Sequence, residues 1–139
     1  MIALDTNVLV RFLVEDDPEQ SERARALLRG LEEAEEPAFV SEIVLCELVW
    51  VLKRSYRLTR PETASILRDL LRARQFTFPS TDRLARAVEA FAKGKAGFAD
   101  YLISEHALRA GCRGLASFDK ALIAEGGFFL DVSLAGEQL

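Results

Sequence analysis

Apolar and polar positions along this chain alternate between two rhythms. The stretches IALD (2–5), AFV (38–40), FTF (76–78), RGLAS (113–117) and FFL (128–130) are short and largely apolar, the pattern of strands buried on both faces. Between them the apolar residues recur at helical spacing. NVLVRFLV (7–14) follows the first stretch directly, and a helix is predicted there because a strand running on from residue 2 would be unusually long. In the next segment Asp17 is placed to cap a helix, Pro18 takes its first position, and Ala24, Leu27, Leu28 and Leu31 form one stripe. Ser41 caps the helix that follows. Thr59 and Glu62 have capping-box spacing ahead of Ile66, Leu67, Leu70 and Leu71. Leu84, Val88 and Phe91 mark a further helix with Gly94 beyond its end; ADYLISEHALRAG is closed by Gly111; FDKALIAEGG makes a short one. Strands separated by helices imply one α/β domain, residues 1–139, with a parallel sheet covered on both faces.

Composition narrows the class. With 139 residues, half of them apolar and 29% charged, the chain suits one soluble domain that buries about two-thirds of its unfolded surface. Its apolar runs fall short of the roughly 18 residues needed to cross a bilayer. Asp5 interrupts the first apolar segment, so no leader is expected, and Cys46 and Cys112 have no close-spaced partners; a reducing cytoplasmic setting follows. The net charge of −4 does not advertise nucleic-acid binding, although arginine supplies 14 of the 18 basic residues.

Four acids stand out against this background. In an open parallel sheet, ligands collect beyond the carboxyl ends of strands, and both IALD and the stretch after GLAS run into an aspartate there, Asp5 and Asp119. Glu47 interrupts the apolar run IVLCELVWVL (43–52) and is expected to be buried on most sides. Asp100 opens the ADYLISEHALRAG helix. Each has an ordinary explanation: a turn or helix cap for Asp119, a salt bridge to Arg54 or Arg68 or snorkelling to a helix edge for Glu47, favourable placement at the positive end of a helix dipole for Asp100. One shared cause is simpler. An all-oxygen cluster of like charges needs compensation, and a hard divalent cation, Mg²⁺ or Mn²⁺, suits oxygen ligands better than zinc does. His106, the one histidine, lies six residues past Asp100 on a different helical face.

Those residues, in that order, resemble the PIN-domain nucleases and, more narrowly, the VapC toxins of toxin–antitoxin pairs. The resemblance rests on DTNVL (5–9), SEIVLCELVWVL (41–52), GFADYLI (97–103) and SFDKAL (117–122), and spans most of the chain. It implies a three-layer α/β/α sandwich with a five-stranded parallel sheet of order 3-2-1-4-5. It also implies Mg²⁺- or Mn²⁺-dependent cleavage of RNA phosphodiester bonds, with Asp5, Glu47, Asp100 and Asp119 as catalytic metal ligands. Asn7 matches an asparagine that orients the site, and Ser117 a hydroxyl residue that supports the last acid. The partners it implies are an RNA substrate and a small antitoxin of the VapB kind. The apolar helix 42–56 and the stripe at Leu27, Leu28 and Leu31 offer surfaces for that antitoxin or for a homodimer.

Two other classes fit part of the pattern. A catalytically inert RNA- or metal-binding module would keep the acids without the chemistry. Receiver-like and haloacid-dehalogenase-like phosphoryl chemistry also places an aspartate after a first strand. The first expects paired acids and a later lysine, and the second expects D-x-D where this chain has DTN.

Overall fold

The computed structural model describes residues 1–137. They fall into two compact units, Met1–Thr81 and the residues from Asp82 onward.

The first unit is built around a three-stranded parallel sheet, β1 (Ile2–Ala3), β2 (Ala38–Phe39) and β3 (Phe76–Thr77), with β2 in the middle. Ile2 pairs with Ala38 and Ala38 with Phe76. Its helices are α1 (Thr6–Leu13), α2 (Pro18–Glu33), α3 (Glu42–Arg54) and α4 (Arg60–Arg72). Local chemistry sets their starts. The Asp17 carboxylate accepts from the Gln20 amide at 3.1 Å with Pro18 in the first turn, and the Ser41 hydroxyl accepts from the Val44 amide at 3.2 Å. Thr59 and Glu62 close the predicted capping box, at 3.2 and 3.1 Å. The interior is aliphatic: Leu9, Val40, Leu45, Leu48, Leu52 and Leu67 are buried almost completely. α1 packs on both α2 and α3. The Tyr56 hydroxyl, beyond the end of α3, donates to Asp16 at 2.7 Å, and Arg11 on α1 donates to Asp16 at 2.9 Å and to Gln20 at 2.7 Å. That network fixes the loop between α1 and α2.

The second unit contains α5 (Thr81–Lys93), α6 (Phe98–Arg109), β4 (Leu115–Ser117), α7 (Lys120–Glu125), β5 (Phe129–Asp131) and α8 (Val132–Glu137). β4 and β5 are parallel, with Leu115 opposite Phe129 and Ser117 opposite Asp131. Leu84, Val88, Phe91, Phe98, Tyr101 and Leu122 are buried, and Phe91 meets Phe98 edge to face at 6.1 Å.

All five expected strands exist in parallel arrangement, and the partial orders 3-2-1 and 4-5 both occur. Among the described residues, however, the ladders form two sheets of three and two strands in place of one five-stranded sheet. The strands are also shorter than the apolar runs suggested. β1 is short: Leu4 still donates to the Phe39 carbonyl at 2.9 Å, and the next residue, Asp5, already caps α1. α8 has no counterpart in the sequence reading: VSLAGE carries no apolar stripe long enough to mark it, although Asp131 just before it accepts from the Ser133 amide at 2.9 Å.

Candidate active site

In the first unit, the DTN stretch turns the chain from β1 into α1. Asp5 is the N-cap: its Oδ1 accepts from the Thr6 amide at 2.8 Å. Thr6 is buried, and its hydroxyl donates to Glu47 Oε2 on α3 at 3.2 Å. One residue therefore holds two carboxylates, Asp5 through its backbone and Glu47 through its side chain. Motif reading passed over Thr6 in favour of its neighbours. The available clue was a β-branched hydroxyl residue between two exposed polar ones at a strand-to-helix turn. Asn7 is exposed and, among the described residues, forms no hydrogen bond. It borders a groove of about 420 Å³ whose walls include Val8, Arg11, Gln20, Arg23 and Leu27.

Glu47 is not buried, contrary to expectation. α3 is two-sided: Leu45, Leu48, Val49 and Leu52 face the core, while Glu47 shares the opposite face with Ile43 and Trp50, 71% and 60% exposed. The helical period explains the difference, because positions 43, 47, 50 and 54 fall on one side whatever their polarity. The salt bridge considered for Glu47 is absent among the described residues. Arg54 instead lies over the Trp50 ring, 5.2 Å from its centroid. What needs explaining is thus a pair of exposed apolar side chains around a glutamate that water already reaches.

In the second unit, Asp100 and Asp119 mark the starts of α6 and α7. Asp100 Oδ2 accepts from the Gly97 amide at 3.0 Å, the return half of a capping box whose cap residue has no side chain. Asp119 is the N-cap of α7, its Oδ1 accepting from the Ala121 and Leu122 amides at 2.8 and 3.2 Å. Ser117 was expected to donate to the last acid; in the structure its Oγ instead accepts from the Asp119 backbone amide at 2.9 Å. The ordinary capping roles foreseen for these acids are therefore all realised.

Capping does not exhaust them. In each of the four carboxylates one oxygen is anchored by the protein: Asp5 Oδ1, Glu47 Oε2, Asp100 Oδ2 and Asp119 Oδ1. Among the described residues the second oxygen of each has no hydrogen-bond or ion-pair partner. An oriented carboxylate with one oxygen left over is the donor that a hard cation takes, so the residues fit Mg²⁺ or Mn²⁺ in kind. Within neither unit, among the described residues, do three His, Cys, Asp or Glu side chains converge closely enough to hold an ion by themselves. His106 is exposed on α6.

Comparison with known proteins bears on the whole arrangement. The PIN domain family matches residues 2–125, which take in all four acids and reach from the first unit through α7 of the second. This chain belongs to the PIN-domain family. Within it the chain is of the VapC type: a VapC ribonuclease of Aquifex aeolicus (strain VF5) is 28% identical over 120 residues, which cover 86% of this chain and 88% of that protein. No helix among the described residues of this PIN protein is long and apolar enough to cross a membrane.

Proposed function

We propose that this PIN-domain protein is a metal-dependent endoribonuclease that hydrolyses RNA phosphodiester bonds in the cytoplasm, as the toxin of a VapBC-type toxin–antitoxin pair. The observation that carries the proposal is the state of the four carboxylates, each anchored by one oxygen with the other left open. The similarity to a VapC ribonuclease supports the same reading. Asp5, Glu47, Asp100 and Asp119 are the residues that would hold the ion. Bound there, Mg²⁺ or Mn²⁺ would supply a water of lowered pKa and neutralise charge on the phosphoryl oxygens. The chain's own contribution is orientation. Thr6 fixes the two acids of the first unit, and the amides at the starts of α6 and α7 fix those of the second. Histidine has no part in this scheme.

The test substitutes Asp5→Asn and Asp100→Asn. An asparagine oxygen keeps each helix-end hydrogen bond, so circular dichroism and melting should change little. Mg²⁺-dependent cleavage of RNA should fall to background in both. Full activity in both variants removes the site from consideration. Single-turnover assays in Mg²⁺ and in Mn²⁺ separate the enzyme from an inert module, which would bind RNA without yielding product.

The toxin reading requires an antitoxin of the VapB kind. The groove beside Asn7, with Val8 and Leu27 offering apolar walls and Arg11 and Arg23 positive charge, suits an extended segment of such a partner. The exposed pair Ile43 and Trp50 suits the interface of a homodimer.

A further inference from the structure

We infer that Tyr101 and Glu125 act as positioning residues for the two acids of the second unit, and that Gly94 is glycine because this lock needs the space. The inference rests on the reading of Asp100 and Asp119 as metal ligands. Tyr101 follows Asp100 directly in the first turn of α6, and Glu125 is the last residue of α7, whose N-cap is Asp119. The Tyr101 hydroxyl donates to Glu125 Oε1 at 2.6 Å, a short bond of the kind a charged acceptor makes. The Tyr101 hydroxyl oxygen in turn accepts from the buried Ala96 amide at 3.3 Å. The Tyr101 ring is 3% exposed and packs edge-on against Phe129 of β5, with centroids 6.2 Å apart. It cannot swing away to relieve the contact.

The bond therefore ties the start of α6 to the end of α7. α7 is six residues, about 9 Å long, so a tilt at Glu125 is carried to Asp119 at its other end. Asp119 also caps the helix from a fixed hydrogen-bond geometry and cannot turn independently of it. The spacing of the two free carboxylate oxygens is thus set by a residue pair that touches neither of them.

Gly94, just past α5, closes the arrangement. A Cβ there would collide with both the Tyr101 hydroxyl and Glu125 Oε1. The backbone at Gly94 does not call for a positive φ. Its requirement is room for the lock. Gly94→Ala is consequently a way to disturb the lock without altering either of its members.

The experiment uses the full chain and measures Mn²⁺ binding by calorimetry, together with metal-free melting and RNA cleavage. Tyr101→Phe, Glu125→Ala and Gly94→Ala should each weaken Mn²⁺ binding by about tenfold, the lower end of what groups holding a metal ligand in place are worth. Glu125→Gln keeps an oxygen that accepts the Tyr101 proton and should stay within about twofold of the parent. The double variant Tyr101→Phe/Glu125→Ala should be no weaker than Tyr101→Phe alone, since that variant already removes the bond the two residues share. Mn²⁺ affinity unchanged in Glu125→Ala, or lost equally in Glu125→Gln, overturns the inference. Glu125 is exposed, so its variants fold even where Tyr101→Phe does not. Asp100→Asn binding Mn²⁺ as well as the parent would instead overturn the site reading on which the inference rests.

Discussion

Substituting Thr6→Val separates the two things Thr6 does. Valine has the same shape, so the buried volume at a residue 4% exposed is kept, and the backbone amide still donates to Asp5. Only the 3.2 Å bond from the hydroxyl to Glu47 Oε2 is lost. A hydrogen bond of this sort contributes about 0.5–1.5 kcal/mol net. Here the low end applies, because Glu47 is exposed and water replaces the lost donor. The methyl group that replaces the hydroxyl gains apolar burial and offsets part of it. Stability measured by urea unfolding should therefore move by less than about 1 kcal/mol, or about 3–4 °C in melting temperature for a chain of this size.

Metal binding should respond differently. Glu47 would keep its charge but lose the contact that orients it, and Mn²⁺ affinity should fall about tenfold. Thr6→Ser gives the opposite pair of results. The hydroxyl remains and Mn²⁺ binding holds, while loss of a buried methyl costs about 1 kcal/mol of stability. The two variants should thus cross over in a plot of affinity against stability. Thr6→Val binding Mn²⁺ as tightly as the parent would refute the claim that Thr6 orients Glu47. Parallel losses of stability and affinity in both variants would reduce Thr6 to a packing residue.

Three further outcomes are expected. Asp119→Ala removes both the α7 cap and a proposed ligand, so it should cost about 1 kcal/mol of stability as well as metal binding, while Asp119→Asn loses metal binding alone; equal stability of the two variants by urea unfolding would show that the cap contributes nothing. The carboxyls of Glu62, Glu22 and Asp16 lie below their ordinary range, held there chiefly by the Thr59 amide, by Arg29 and by the Tyr56 hydroxyl in turn. A depressed folded pKa adds stability above the ordinary carboxylate range that is lost as pH falls through the folded values, so the urea midpoint should drop between roughly pH 5 and pH 3 and drop less steeply in Glu62→Gln; a flat midpoint in the parent contradicts this. Trp50→Ala should leave monomer stability within about 0.5 kcal/mol because the ring is 60% exposed, yet shift sedimentation equilibrium toward monomer; an unchanged equilibrium removes α3 as the dimer face.

The legible parts of the sequence were those governed by local chemistry. Ser41, Asp17 and the Thr59–Glu62 box announced helix starts correctly because a cap acts within three residues of itself. The strands were located but drawn too long, because apolar character continues past the point where a cap takes the backbone out of the ladder, as at Asp5. Glu47 was misjudged for a related reason. Apolar composition alone reads α3 as buried all round, whereas Ile43 and Trp50 share the exposed face with the glutamate. Polarity does not report which side of a helix the core lies on. Tertiary placement does, and for α3 it is set by α1 and α4. Thr6 and the Tyr101–Glu125 pair were missed because their meaning lies in contacts 41 and 24 residues away in the chain.

Helix capping and ligand duty were treated in the sequence as competing explanations for each acid, and the geometry makes them complementary. A carboxylate has two oxygens, and an N-cap occupies one. The remaining oxygen is held in a fixed direction by a helix end, which is more rigid than a side chain rooted in a loop. Asp5, Asp100 and Asp119 all stand in this arrangement, and Glu47, set mid-helix with no backbone amide in reach, has the Thr6 hydroxyl in its place. It follows that replacing an acid by its amide should cost metal binding and leave the fold, whereas replacing it by alanine should cost both. That difference is measurable at Asp5 and Asp119 independently, and its absence at either would mean that the cap and the ligand are not the same carboxylate.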